Sequence, residues 1–205
     1  MSKKREQIRI IIFLLLLVGI SLLIYRFQPR ERVHAIPSIS QIETGDIAPI
    51  EIPNFYNQRD KRWASDKLGD SSETVGKVGC LISSICMNLS YYKEHMTPKE
   101  LNIKLRELEG YTQRGWLIWS KLEEVMDNKL SITFPELSHE SIEKNLLDKK
   151  PILAKVYINK VIPHWILIVG KEKREYLMLD PLTDGTLSKV SHYGGYIYSI
   201  RLLEE

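Results

Sequence analysis

Apolar periodicity changes once along this chain, at Pro151, and that change limits the fold more than any other feature. Before it, apolar residues recur at helical spacing through Leu81 to Tyr92, through Leu101, Leu105 and Leu108, and through Leu117, Leu122, Val125 and Met126. Ser141 to Leu147 reads as a further short helix, and Leu130 to Phe134 alternates like a strand. Thr97-Pro98-Lys99-Glu100 is a capping box with proline at the first helical position, and Gly110 ends the helix it starts. After Pro151 the apolar runs are strand-like: Ile152 to Tyr157, Trp165 to Lys171, Tyr176 to Asp180 and Tyr196 to Leu202. Helices first and an antiparallel sheet afterwards is the α+β arrangement. The charged Glu172-Lys173-Arg174-Glu175 joins two of these runs as a hairpin. A turn centred there pairs positions summing to about 345, which sets His164 opposite Asp180 or Pro181.

The N-terminus has a different character. Ile10 to Ile24 is uncharged, with Lys3, Lys4, Arg5 and Arg9 before it and Arg26, Arg30 and Arg32 after it. Residues 1–32 are expected to form one N-terminal transmembrane helix with basic flanks, holding the chain in the cell membrane as a single-pass protein with its domain outside. Cleavage after Ala35, which would release a secreted protein, is the alternative. Residues 33–50, with Pro37 and Pro49 and no sustained apolar period, read as an extended tether, and 51–205 as one folded domain. The net charge of +3 comes from the first segment: residues 1–32 hold seven Lys/Arg against two acidic residues, leaving 22 against 24. The domain has no basic excess, which argues against a nucleic-acid partner.

Four residues could carry chemistry. Cys80 follows Gly76-Lys77-Val78-Gly79 and begins the first helix, where unpaired backbone N–H groups favour a thiolate. Gly79 would let a substrate approach the thiol. Cys86 points elsewhere on the same helix, amid Ile85 and Leu89, and reads as core. His164 stands after a proline at a strand's entrance and could act as base, with His192 its rival. Asp180, at the end of another strand, could orient the imidazole or serve as an Asp-Pro turn residue. Gln58 could donate to an oxyanion, although taken alone it is a surface glutamine. Trp63, Trp116 and Trp119 are candidates either for a groove or for the core. Two cysteines on one helix and no paired histidines give no metal-ligand spacing, and no cofactor is implied.

Phe55 to Ala64, Leu68-Gly69-Asp70 and Thr74 to Ser84 together resemble the start of peptidase C39-like domains, a papain-like cysteine peptidase group. The resemblance continues through Thr97 to Asn102, Gly115 to Trp119, His164 to Gly170 and Leu179-Asp180-Pro181, covering roughly 55–202 with the motifs in order. It implies a papain-like fold, helices packed on an antiparallel sheet, and a thiol hydrolase acting on a peptide or peptide-like substrate. By position it implies Cys80 as nucleophile, His164 as base, Asp180 as orienting acid and Gln58 as oxyanion donor. Many members follow the cysteine with Gly-Pro-Thr/Ser, whereas Leu81-Ile82-Ser83 stands here. Cell-wall peptide amidase or acyl transferase chemistry, and a non-catalytic surface binding module, are the other readings of the same fold.

Overall fold

The computed structural model describes residues 34–43 and 45–205. The expected membrane segment at 10–24 lies outside the described residues, and among those described no helix is long and apolar enough to cross a membrane.

Five helices precede Pro151, with a short strand at 131–133 between the last two: α1 (Val75–Val78), α2 (Cys80–Tyr91), α3 (Pro98–Glu107), α4 (Trp119–Val125) and α5 (His139–Leu147). In α2 ten of twelve residues are buried, so it is apolar or small on every side rather than on one stripe. Two of its interior hydroxyls find carbonyl acceptors: Ser90 Oγ donates to Met87 within the helix at 2.7 Å and Ser84 Oγ to Trp165 on the sheet at 3.2 Å. The capping box starts α3 as its residues require, with Glu100 N–H on Thr97 Oγ1 and Thr97 N–H on Glu100 Oε2. Leu101 and Leu105 bury its inner face, each side chain contributing about 2 kcal/mol.

Strands β2 (Ser131–Thr133), β3 (Ile152–Ile158), β4 (Ile162–Glu172), β5 (Glu175–Leu179), β6 (Ser188–Lys189) and β8 (Ser199–Glu204) form one antiparallel sheet in the order β2-β8-β3-β4-β5-β6. A separate ribbon pairs β1 (Ile36–Pro37) with β7 (Tyr196–Ile197), so the expected run 196–202 divides between two sheets. The architecture is mixed helix and sheet with antiparallel strands, as the change at Pro151 implies.

The β4–β5 register departs from the expected one. Beside the turn, Glu172 pairs with Glu175 and Gly170 with Leu177, but beyond them Ile168 pairs with Met178 and Leu167 with Leu179. Val169 is an extra residue on β4, a bulge that moves the pairing by one. Continued along the strands, this register sets Asp180 across from Ile166, which shares a face with His164. The two are therefore diagonal neighbours on one face, within reach of their side chains, and not directly opposed. Without the bulge they would point to opposite faces.

Residues 36–50 are not a loose tether. Ser38 N–H donates to the Gly195 carbonyl, Ser40 N–H to Arg174, Ile47 N–H to Lys171 and Ile50 N–H to Val169, each at 2.7–2.9 Å. Ile36, Ser38, Ser40, Ile47 and Ile50 are buried. The alternation of apolar or small residues at 36, 38 and 40 is strand patterning, too short to stand out between prolines. This strap crosses the bulge itself: a Cβ at Gly170 would meet the Ile47 carbonyl oxygen and Pro49 Cα, both at 2.9 Å. Beneath it lies a buried polar cluster in which Lys171 Nζ pairs with Glu143 Oε1 at 2.8 Å, Ser40 hydrogen-bonds the same oxygen, and Lys171 reaches the Ile42 carbonyl. The folded unit accordingly begins near His34, not at 51.

Candidate active site

Cys80 is the first residue of α2, separated from α1 by Gly79 alone, so its thiol stands where helical N–H groups have no intrahelical acceptor. Gly79 owes its identity to packing rather than to substrate access. It is buried, and a Cβ there would lie 2.5 Å from the Val75 carbonyl oxygen and 2.7 Å from Val75 Cα. The glycine lets the chain enter α2 in contact with the preceding turn. Cys80 Sγ accepts the Trp165 backbone N–H at 3.4 Å, which ties the helix N-terminus to β4 one residue past His164.

His164 is 2 % exposed, and its Nε2 lies 2.8 Å from Asp180 Oδ1, leaving Nδ1 as the second ring nitrogen. Burial opposes charge on this imidazole, but hydrogen bonds to Asp180 and to the Cys80 thiol outweigh it and raise the pKa to about 9. Asp180 is buried too. Burial pushes its pKa up, yet the hydrogen bonds from His164 and Tyr193, the imidazole's charge and the Leu182 N–H at 2.9 Å hold it below the usual carboxylate range. The orienting and the turn readings of Asp180 coexist, since one oxygen serves both His164 and Leu182.

Tyr193 takes the other oxygen. Its hydroxyl hydrogen-bonds Asp180 Oδ2, and its ring tilts over His164 with centroids 5.2 Å apart. Sequence reading passed it over for its neighbour His192, which is exposed and packs edge-on against Tyr193. The available signal was Gly194-Gly195, both with positive φ, which fold the short 3-10 turn Val190–Tyr193 back on the sheet.

Gln58 is 2 % exposed, so it is not a surface glutamine. Its backbone N–H donates to the Pro181 carbonyl at 2.9 Å and its side-chain Nε2 to the Gly76 carbonyl at 3.1 Å. One residue thus joins the turn after Asp180 to the helix before Cys80. Its second Nε2 hydrogen has no acceptor among the described contacts and is the group that could meet an oxyanion. Of the tryptophans, Trp63 is core, with Nε1 on the Asn57 carbonyl, and Trp116 is exposed. Trp119 packs edge-on against Trp165 at 5.7 Å, one residue from the imidazole. Cys86 is fully buried and burial raises its pKa well above the usual thiol value.

A thiol, an imidazole and a carboxylate in series, dry and with a fixed amide nearby, can activate sulfur, hold its proton and return it to a leaving group. The model of the Peptidase C39 family matches residues 73–192, more than half of the chain, a span containing Cys80, His164 and Asp180. No curated protein matches. The crystal structure of a protein from Bacillus anthracis described as a candidate C39-like peptidase aligns at a TM-score of 0.52 and 12% identity, covering 79% of this chain and 99% of that one. At that identity the likeness is one of fold.

Proposed function

Because this chain belongs to the Peptidase C39 family, we propose that it is a cysteine-type hydrolase of peptide bonds with Cys80 as nucleophile. In this reading the thiol proton passes to His164 Nδ1, and sulfur attacks the carbonyl carbon. The tetrahedral oxyanion is met by the Gln58 amide and the Cys80 backbone N–H. Collapse breaks the C–N bond, His164 hands its proton to the departing amine, and a thioester remains for water to hydrolyse. Asp180 orients the imidazole through Nε2 and stabilises its charged form. The observation that carries the reading is the single buried imidazole whose Nε2 lies 2.8 Å from the Asp180 carboxylate and whose pKa the Cys80 thiol helps to raise.

The substrate class is peptides or peptide-like amides. Attachment to the cell membrane through 10–24, with the domain outside, belongs to the same proposal and rests on the apolar segment with its basic flanks. The test is a peptide library and cell-wall peptide fragments incubated with the full-length protein and its Cys80→Ala variant, with products read by mass spectrometry. Turnover by the parent protein alone, through a trapped Cys80 thioester, is expected. Identical background in both proteins would leave a non-catalytic binding module on this fold. Products carrying an amine acceptor in place of water would mark an acyl transferase.

A further inference from the structure

The register of the sheet gathers two cations on the face of Trp165, the residue whose backbone N–H meets the thiol, and gives neither an acidic partner. Lys155 on β3 lies between Trp165 on β4 and Ser199 on β8, and Arg201 stands two residues beyond Ser199, so all four share one face. This face starts at Trp165, whose own N–H touches Cys80 Sγ. The Arg201 guanidinium lies 4.3 Å from the Phe134 ring centroid, 5.7 Å from Trp119 and 6.0 Å from Trp165. Its Nη1 donates to Ser199 Oγ and the Ile200 carbonyl, while its Nε is buried without an acceptor. Among the described residues no carboxylate pairs with Arg201 or with Lys155. Burial lowers the Arg201 pKa, and no neighbouring charge offsets it.

An arginine held among aromatic rings keeps a preorganised fork for a planar anion, and leaving it unpaired in a half-buried place costs stability that packing alone does not require. We propose that the face carrying Lys155, Trp165 and Arg201 is a subsite for a carboxylate side chain of the substrate, so that the preferred peptides are acidic close to the scissile bond. The rings would cover the aliphatic part of a glutamate side chain while Arg201 takes its carboxylate and Lys155 adds charge from the neighbouring strand. This assignment rests on Cys80 being the nucleophile for its place in a reaction, but not for the binding it describes.

Binding is therefore measured apart from turnover. The full-length Cys80→Ala protein is titrated with N-acetylglutamyl amide and with its neutral isostere N-acetylglutaminyl amide at about 0.15 M salt, following tryptophan emission. The acidic compound should bind at least about tenfold more tightly, as a charge-assisted pair demands. Arg201→Gln should remove that discrimination and Arg201→Lys should restore part of it. Lys155→Gln, at a partly exposed position, should reduce it and serves if Arg201→Gln does not fold. Equal binding of the two compounds, or discrimination that survives both neutral substitutions, overturns the subsite. A library of Glu/Gln peptide pairs given to the parent protein separates the two ideas. Cleavage without acidic preference removes the subsite and keeps the nucleophile, whereas discrimination in binding with no cleavage of any peptide does the reverse.

Discussion

At the scale of single residues, the two cysteines are each other's control. Cys80 lies at a helix start in contact with an imidazole, while Cys86 is 0% exposed and held protonated by burial. Limited iodoacetamide at about pH 7 followed by peptide mapping should label Cys80 at least about tenfold faster, and preferential labelling of Cys86 would remove the nucleophile assignment. The imidazole sets a pH limit. With a pKa raised to about 9, His164 keeps the proton owed to the leaving amine until pH passes that value, so kcat/KM should fall above about pH 9. Asp180→Asn removes a group that raises it, and the alkaline limb should move down by about one unit or more. Tyr193→Phe leaves an Asp180 oxygen without its donor and should shift the same limb with less loss of rate, a change that a purely structural tyrosine would not produce. Stability follows the same proton. The raised His164 contributes up to roughly 3 kcal/mol that is complete below pH 6.5, its unfolded value, and is lost as pH rises through about 9. Thermal melts from pH 6 to 10 should show that decline, and His164→Ala should flatten it.

At the scale of elements, helices, strands and the β4–β5 hairpin were legible because each is marked by a period, a capping box or a charged turn. The proximity of His164 and Asp180 was legible for the same reason, but its geometry was not. A bulge leaves no mark in the alternation of Trp165 to Lys171, since every one of those positions from Ile166 onward is buried on one face or the other. Gln58 read as a surface residue because its burial depends on two backbone carbonyls, at Gly76 and Pro181, far from it in sequence. The strap escaped notice because its alternation spans only a few residues and its partners come from three separate strands. Gly170 is where strap and bulge meet, and its substitution tests both. Gly170→Ala should destabilise the domain by about 1–3 kcal/mol, since the new methyl meets backbone at Ile47 and Pro49 rather than a flexible side chain. Urea unfolding decides it, and an unchanged midpoint would mean that the strap yields freely.

At the scale of the whole molecule, the strap makes the first described residues part of the folded unit. A chain beginning at 51 would uncover Lys171 and Glu143 and forfeit the burial of Ile36, Ile47 and Ile50, each about 2 kcal/mol. It should melt well below a chain beginning at 34, and protease added to the intact protein should spare 38–40, where both serines are buried. If attachment runs through 10–24, the full-length protein should sediment with membranes and be freed by cuts ahead of Ile36. Recovery of a soluble chain starting at Ile36 would identify Ala35 as the end of a removed signal instead. The extra residue at Val169 has one more consequence, for reading relatives of this chain. A strand is a two-beat pattern, and β4 changes phase partway: through the extra residue Lys171, opposite Tyr176 and paired with Glu143, falls on the same face as His164 and Asp180 although seven positions separate it from the imidazole. Length changes of one residue between these points invert one end against the other, while changes of two preserve both. A chain could thus retain the cysteine, histidine, aspartate and glutamine in order and still, by parity alone, aim its imidazole into the wrong layer.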